Sequence, residues 1–333
     1  MVIVSRKSGR MGNRLFTFAH FIANSLEYGP YSVLNPVFNE YSAFFVGTDS
    51  RWITRFPAQA SVTSEGVASD IRRMGRKVLD YLIYAVTNPL RRDRIAFLHS
   101  AFHEVIDLHH PAVYEWRQTG FLQFVRQKAV ISNGWIFWDH ESFIKHAASI
   151  REYFRLVPAL ATRVQKHMET CRQQDVVLVG VHIRHGDYRT TGEATYYYET
   201  EQYAALMRRL AASSTSKLCF MVCSDEPIQS ADFAGLDIRL GPGTAIEDMY
   251  ALAACDYIIG PPSSFSGWAS FYGQVPLYFI TDLQKAFDGL VLAEFSVLES
   301  FDYRTDSSRY QRPVSTSMEL GDQILPVQAQ CGR

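Results

Sequence analysis

The second half of the chain alternates short β-branched runs with longer helical stretches, and this alternation limits the possible fold more than any other feature. Such alternation is typical of a parallel sheet in an α/β domain. We therefore expect one doubly wound domain in this half. The pattern predicts strands at 176–183, 218–223, 237–240, 257–260 and 277–280, with helices near 200–212, 245–255 and 264–272.

The N-terminus begins in the same way. The pattern predicts a strand at Val2–Val4, a glycine turn at GRMGN (9–13) and then a helix that runs to Glu27. Strand, glycine turn and helix are the usual opening of a Rossmann-like domain. A chain of 333 residues that is 47% hydrophobic can fill two such cores. The expected domains are an N-terminal one at 1–165, variable and mostly helical at 48–128, a C-terminal one at 166–300, and a polar tail at 301–333.

Charge and cysteine content narrow the class of protein. Lys and Arg total 33 against 34 Asp and Glu, so the chain lacks the broad basic field that binds nucleic acid. The five cysteines show no metal-binding spacing. No run of eighteen apolar residues occurs. We expect an intracellular, cytoplasmic protein that binds any anion locally.

A basic cluster precedes the apolar run 78–86 and allows two interpretations. It is either the solvated charged end of a helix or a patch that rests on an anionic membrane, at its inner face, or on a lipid-linked acceptor. The cluster consists of Arg72, Arg73, Arg76 and Lys77.

The strongest site signal is the segment GVHIRHGDY at 180–188, which ends a predicted strand. The carboxyl end of a strand in an open parallel sheet faces the ligand crevice, and alternation puts His182 and Arg184 on the same side. The guanidinium fork of Arg184 suits a phosphate. An ion pair between Arg184 and Asp187 that holds the turn would explain the same residues.

Asp225 follows the next predicted strand and reaches the same sheet edge. Its carboxylate could accept two hydrogen bonds from a guanine edge or a ribose. Alternatively, Asp225 caps a helix that starts at Pro227.

A serine-rich segment, PPSSFSGW at 261–268, joins a predicted strand to a helix. Unpaired amides at the helix start and the hydroxyls of Ser263 and Ser264 suit a pyrophosphate. Ser263 as a plain N-cap is the simpler interpretation.

The glycine turn at 9–14 could approach the same ligand from the opposite domain. It lacks a full GxGxxG, so a dehydrogenase is poorly supported. The chain also contains no Asp-x-Asp, the carboxylate pair that usually holds a divalent cation against a diphosphate. We expect a site without metal, in which Arg184 and backbone amides stabilise the departing negative charge.

Together these segments resemble the α-1,2-fucosyltransferase family, whose pattern reads GxxGNQLFQYA, HIRRGDY and SSFSWWGAW. This chain has GRMGNRLFTFA at 9–19, HIRHGDY at 182–188 and SSFSGWA at 263–269, in the same order. Residues 134–152 and 247–250 are also similar, whereas 48–128 are not covered. The chain departs from the pattern at Arg14, which replaces Gln, at His185, which replaces Arg, and at Gly267, which replaces Trp.

The resemblance implies a GT-B fold, with two Rossmann-like domains facing across a cleft. It also implies inverting, metal-independent transfer of fucose from GDP-fucose to a glycan or polysaccharide such as an O-antigen. Because eukaryotic Golgi enzymes usually begin with a membrane anchor and the first residues here are too short for one, we expect a bacterial source. The implied donor ligands are Arg184 for the β-phosphate, His182 and Asp225 for guanosine, Ser263, Ser264 and Phe265 for the diphosphate, and Gly12 and Asn13 closing over it. Arg14 and Asp248 are expected to bind the donor as well.

An inverting transfer needs a base for the acceptor hydroxyl. The resemblance suggests Glu193 first and Asp187 second, although Glu193 could be a solvated loop carboxylate. Two other functions stay open. One is a GT-B transferase that uses another nucleotide sugar, and the other is a non-catalytic nucleotide-sugar binder, which the change to His185 would fit.

Overall fold

The chain forms two sheets packed against helices in a computed structural model. The structure describes residues 1–48, 53–58, 75, 78, 81–82, 85, 103–108, 116–117, 120–134, 137–190 and 195–300. The first sheet contains β1 (Val2–Val4), β2 (Val33–Leu34), β3 (Arg55–Phe56), β4 (His103–Leu108) and β5 (Ala129–Gly134). Its helices are α1 (Met11–Tyr28), α2 (Phe121–Gln127), α3 (His140–Lys145) and α4 (Ala147–Tyr153).

The first sheet has the strand order β3-β2-β1-β5-β4 and is parallel except for β3. Strand β1 is central, and Val2 and Val4 are buried, as expected for a parallel strand covered on both faces. The turn from β1 into α1 therefore emerges at the carboxyl edge of the sheet, where ligands bind in open α/β folds.

The second sheet has the order β11-β10-β9-β6-β7-β8 and is parallel except for β11. Its strands are β6 (Val176–Ile183), β7 (Lys217–Ser224), β8 (Ile238–Leu240), β9 (Tyr257–Gly260), β10 (Pro276–Phe279) and β11 (Ser296–Val297). The helices are α5 (Pro158–Cys171), α6 (Thr200–Ser213), α7 (Ala245–Leu252), α8 (Ser264–Gly273) and α9 (Leu283–Gly289).

The predicted alternation in the second half is confirmed. Strands β6 and β9 have the predicted bounds, and the other predicted strands shift by one residue. Helix α7 ends three residues early because the chain turns after Leu252 and the amide of Asp256 joins the carbonyl of Leu178. The sequence did not predict β5 or the helices α3 to α5. Within the stretch expected to be mostly helical, the described residues include β3 and β4.

Helices α1 and α8 join the two sheets. The ring of Phe16 on α1 meets the ring of Trp268 on α8 edge to face, with 5.2 Å between ring centroids, and Trp268 is fully buried. Buried side chains from Val2 in β1 to Leu277 in β10 form one continuous apolar cluster. Because burying a large apolar side chain contributes about 1.5–3 kcal/mol, this shared core fixes the two sheets against each other.

Some expectations concern residues outside this description. The basic cluster at Arg72, Arg73, Arg76 and Lys77 and the polar tail at 301–333 lie outside the described residues.

Residue 165, the expected domain boundary, lies within α5, which packs against α7 of the second sheet. None of the described helices combines the length and the hydrophobicity needed to span a lipid bilayer.

Candidate active site

The turn between β1 and α1 is built around Gly9. Gly9 has a φ of +64°, in the left-handed region that favours glycine, and a Cβ there would lie 2.1 Å from the side-chain nitrogen of Asn13. Arg10 is the N-cap of α1, but its side chain makes no capping hydrogen bond. The first turn of α1 therefore keeps its positive end and its unpaired amides at the carboxyl edge of the sheet.

Gly12 brings the start of α1 against the start of α8. A Cβ on Gly12 would lie 2.8 Å from the backbone carbon and oxygen of Ser264 and 2.7 Å from its hydroxyl. Only a residue without a side chain allows this contact. The N-termini of two helices, one from each domain, thus meet at one point, and anions bind at such ends.

Arg184 lies next to this meeting point, directly after β6. Its guanidinium pairs with Asp187 at 2.7 Å and with Asp225 at 3.0 Å, and its side chain is only 12% exposed. Arg10 reaches the same two carboxylates from the first domain, at 3.5 Å from Asp187 and 3.7 Å from Asp225. Two guanidinium groups from opposite domains therefore converge on the same pair of anions.

Asp225 organises the turn after β6. Its Oδ1 accepts hydrogen bonds from the amides of His185 at 2.8 Å and Gly186 at 3.3 Å, while its Oδ2 faces Arg184. Residues 227–229 are not helical, so the alternative of Asp225 as the cap of a helix starting at Pro227 is wrong. One oxygen of Asp225 thus holds the backbone that carries Arg184.

His182 lies beneath the start of α8. Its ring stacks on Phe265 with 4.8 Å between centroids, and its Nδ1 lies 3.3 Å from the hydroxyl of Ser266. Burial lowers the pKa of His182 to about 3, and the nearby guanidinium of Arg184 acts in the same direction. His182 is therefore neutral near pH 7 and does not add charge to the site.

The start of α8 uses its serines in different ways. Ser263 is the N-cap, and its hydroxyl accepts the amide of Phe265 at 3.2 Å. Ser264 faces Gly12. The hydroxyl of Ser266 contacts the carbonyl of Ser263 at 3.4 Å as well as His182. Capping thus accounts for Ser263, whereas Ser264 lies at the junction of the domains.

Asp248 lies in the first turn of α7, close to the end of β8. It is buried, its Oδ1 accepts the amide of Gly243 at 2.8 Å, and a Cβ on Gly241 would lie 2.8 Å from the same oxygen. Burial raises the pKa of Asp248 to about 6, although the hydrogen bond from Gly243 acts against this. A buried carboxyl group is thus held at a helix start at the carboxyl edge of the second sheet.

These two shifted groups predict an unusual dependence of stability on pH. Between pH 3 and 6.5 the unfolded chain binds more protons at His182, so this residue makes stability rise with pH. Between about pH 4 and 6 the folded chain binds more protons at Asp248, which makes stability fall with pH. The two effects oppose each other in wild-type protein.

We expect His182→Gln to leave the effect of Asp248 unopposed. Between pH 4.5 and 6 its free energy of unfolding, measured in urea, should fall relative to wild type by on the order of 1 kcal/mol per pH unit. Parallel profiles for wild type and His182→Gln would contradict the assignment.

Arg14 and His185, two of the departures from the family pattern, both face the interior of their own domain. The guanidinium of Arg14 contacts the carbonyls of Gly9 and Val37 and the carboxylate of Glu40. The ring of His185 is buried, and its Nε2 lies 2.9 Å from the carbonyl of Tyr198, so Nε2 carries the proton. The structure does not bring either side chain to Arg184.

Sequence reasoning missed Arg10. The only signal for it was a cation inside the glycine turn, and its partners lie about half the chain away in sequence. Glu193, the first candidate base, lies outside the described residues. Asp187, the second, is paired with both guanidinium groups. Across the described ranges, no group of three or more His, Cys, Asp or Glu side chains could hold a metal ion.

Two Rossmann-like domains that meet where the carboxyl edges of their sheets face each other define a GT-B architecture. The structure is similar to that of a mutant of Arabidopsis thaliana FUT1 solved in complex with GDP, with a TM-score of 0.53 and 12% identity over 84% of this chain and 70% of that chain. Similarity is lower to POFUT1 in complex with GDP (TM-score 0.49, 12% identity, 84% and 98% covered). It is also lower to the fucosyltransferase NodZ from Bradyrhizobium (0.45, 17%, 84% and 95%).

The sequence assigns the chain to a family. The model of the family described as glycosyl transferase family 11 matches residues 54–276, which is about two thirds of the chain. The protein belongs to glycosyl transferase family 11 and is a glycosyltransferase, as the resemblance in its motifs indicated. A comparison with curated proteins gives no match.

Proposed function

We propose that the protein transfers fucose from GDP-fucose to a sugar hydroxyl of a glycan or polysaccharide, with inversion, to form an α-1,2-type linkage. The observation that supports this most is the convergence of Arg10, Arg184 and two helix N-termini at the junction of the domains. GDP is the nucleotide bound in the similar Arabidopsis FUT1 structure, and it is the nucleotide that we assign to this site.

The carboxylates of Asp187 and Asp225 mark where a diphosphate would be held. Each carboxylate forms ion pairs with the guanidinium groups of both Arg10 and Arg184. Phosphate oxygens bind the same planar guanidinium groups favourably. Arg184 Nε and Asn13 Oδ1 are buried polar atoms without a hydrogen-bond partner in the described part of the chain. Phosphate oxygens of a nucleotide sugar placed here would accept the hydrogen bond of Arg184 Nε, and a hydroxyl of its ribose or sugar would donate to Asn13 Oδ1. Buried polar groups normally have such partners.

The nucleoside would lie along the second domain, between the end of β8 and the start of α8. His182 and Phe265 form a stacked pair on one side. We assign the guanine edge to Asp248, because a carboxylate can accept both N–H groups of that edge, whereas Oδ1 of Asp225 already accepts two backbone amides.

In the proposed reaction the acceptor hydroxyl oxygen attacks C1 of fucose on the face opposite the diphosphate. The bond between C1 and the β-phosphate oxygen breaks, and its electron pair leaves with GDP. Arg184 and Arg10, together with the starts of α1 and α8, stabilise the charge that develops on the leaving oxygen. The acceptor proton passes to a carboxylate, for which we propose Glu193. Asp187, the second candidate, pairs with Arg10 and Arg184 on the diphosphate side and is therefore less suited to this role.

The cationic groups of the chain itself take the part that a divalent cation plays in other transferases. Two guanidinium groups supply two fixed positive charges against the two phosphates of GDP. We therefore propose that donor binding and transfer persist in a metal chelator.

Turnover of the donor tests this proposal. With EDTA present, wild-type protein is expected to release GDP from GDP-fucose. Release should be slow when fucose is transferred to water and faster when a mixture of glycan acceptors is added. Arg184→Ala should slow the release about 1,000-fold, whereas Arg239→Ala, which removes an arginine paired with Asp237, should leave it unchanged. If the protein releases UDP from a UDP-sugar or ADP from an ADP-sugar, and no GDP from GDP-fucose, then GDP-fucose is not its donor. GDP binding without turnover would contradict the proposed reaction.

A further inference from the structure

Arg14 is a partly buried arginine next to the site, and it uses almost all of its hydrogen-bond donors on its own domain. Its Nε and Nη2 donate to the carbonyl of Gly9 at 3.2 and 3.0 Å, and its Nη1 donates to the carbonyl of Val37 at 3.2 Å and to Glu40. Its guanidinium also lies 5.3 Å from the centre of the Tyr41 ring. The side chain is 12% exposed.

We propose that Arg14, with Glu40, is a positioning pair that holds the glycine turn in its donor-binding shape, and that Arg14 does not itself bind the donor. The proposal rests on the proposed function for its effect on GDP. It assigns to Arg14 a role different from that of the phosphate-binding Arg184.

The glycine turn needs such support. Gly9 loses more conformational freedom on ordering than any other residue type would, and the turn is not closed by a side-chain cap at Arg10. Arg14 fastens the carbonyl of Gly9 with two hydrogen bonds and ties it to the 3₁₀ segment Pro36–Phe44, which carries both Val37 and Glu40. The turn is thereby attached to a segment that Pro36, Phe38 and Ser42 anchor with their buried side chains.

The glycine turn carries residues that reach the second domain or line the site, so its position affects donor binding. Arg10, one residue after Gly9, reaches Asp187 and Asp225 in the second domain. Gly12 contacts Ser264, and Asn13 folds its side chain over Gly9. Displacing the turn by about 1 Å would move all of these groups, and errors of that size in a binding site are costly.

Substitution of each partner separates positioning from direct binding. If Arg14 positions the turn, Arg14→Gln and Glu40→Gln should each weaken GDP binding by about tenfold, and the double variant should be no weaker than either single variant, because residues of one network are not additive. If Arg14 is a phosphate ligand, Glu40→Gln releases it from a competing anion. GDP binding should then become tighter, which would overturn the proposal.

Two controls make the outcome specific. Lys7→Gln removes the other cation paired with Glu40, at 3.4 Å, and should leave GDP affinity within about twofold of wild type. Arg126→Gln removes an arginine of the same domain that also donates to a backbone carbonyl, that of Tyr28, and should have no effect on binding. Additive losses in the double variant would also contradict a shared network.

A measurement without ligand keeps this inference separate from the proposed function. Hydrogen exchange of the amide of residue 14, which donates to the carbonyl of Arg10, and of the next hydrogen-bonded amides of α1 should accelerate about tenfold in both Arg14→Gln and Glu40→Gln, because opening of the turn becomes easier. Wild-type protein that fails to bind GDP would contradict the proposed function alone. Unchanged exchange in both variants would contradict the positioning role, whatever the donor.

Discussion

Arg184→Ala is expected to lower kcat/KM for the donor about 1,000-fold and to weaken GDP binding about 100-fold. Arg184 pairs with both Asp187 and Asp225. Its removal takes away a guanidinium group that can form two hydrogen bonds to phosphate. It also leaves the negative charges of Asp187 and Asp225 next to the diphosphate, with only Arg10 to offset them. Both consequences act in the same direction, so this substitution should have the largest effect in the site. Isothermal titration with GDP and initial rates of GDP release measure the two quantities.

Arg184→Lys separates the charge from the geometry. The ammonium group keeps one positive charge but lacks the planar fork, so we expect GDP binding to weaken about tenfold, between wild type and alanine. Arg189→Lys is the matched control, since Arg189 lies in the same turn, is exposed and pairs with Glu226. A GDP affinity of Arg184→Ala within about threefold of wild type would exclude Arg184 as the phosphate ligand.

Gly12→Ala is expected to weaken GDP binding at least about 30-fold and to lower the free energy of unfolding by about 1–3 kcal/mol. The new methyl group would lie 2.8 Å from backbone atoms of Ser264, closer than such atoms approach, so α1 and α8 must separate. That separation moves the two helix N-termini apart. Titration with GDP and denaturation in urea measure these effects.

Gly289→Ala is the matched control for this substitution. Gly289 ends α9, and a Cβ there would meet nothing within 4 Å. Alanine is the better helix former, so this variant should be as stable as wild type or slightly more stable. If Gly12→Ala behaves in the same way, the two helix starts do not touch, and a donor site shared between the domains is excluded.

The sequence predicted the second domain well because its strands form a local pattern. Each of the runs that became β6, β7 and β9 is apolar along most of its length, as buried parallel strands are. Strand β5 and helices α3 to α5 were missed. Strand β5 is paired with β1, which is far from it in sequence, and such pairing leaves no mark in a local pattern.

The site was predicted in part for the same reason. His182, Arg184 and Asp225 lie at strand ends, and the rule that parallel strands end at one edge brought them together. Arg10 could not be found in this way, because its partners Asp187 and Asp225 lie in the other domain. His185 could have been interpreted better. It follows Arg184 directly, so alternation places its side chain on the opposite side, and it indeed lies against Tyr198.

The central claim is a metal-free donor site for a guanosine diphosphate sugar at the junction of the two domains. The most direct test is thermal stability of wild-type protein and Arg184→Ala with GDP, UDP, CMP and ADP in EDTA. At about 100 times its Kd a ligand adds about 2.7 kcal/mol of stability, which is readily measured. We predict stabilisation of wild type by GDP alone, lost in Arg184→Ala; stabilisation by UDP instead, or by GDP only when a divalent cation is supplied, would contradict the claim.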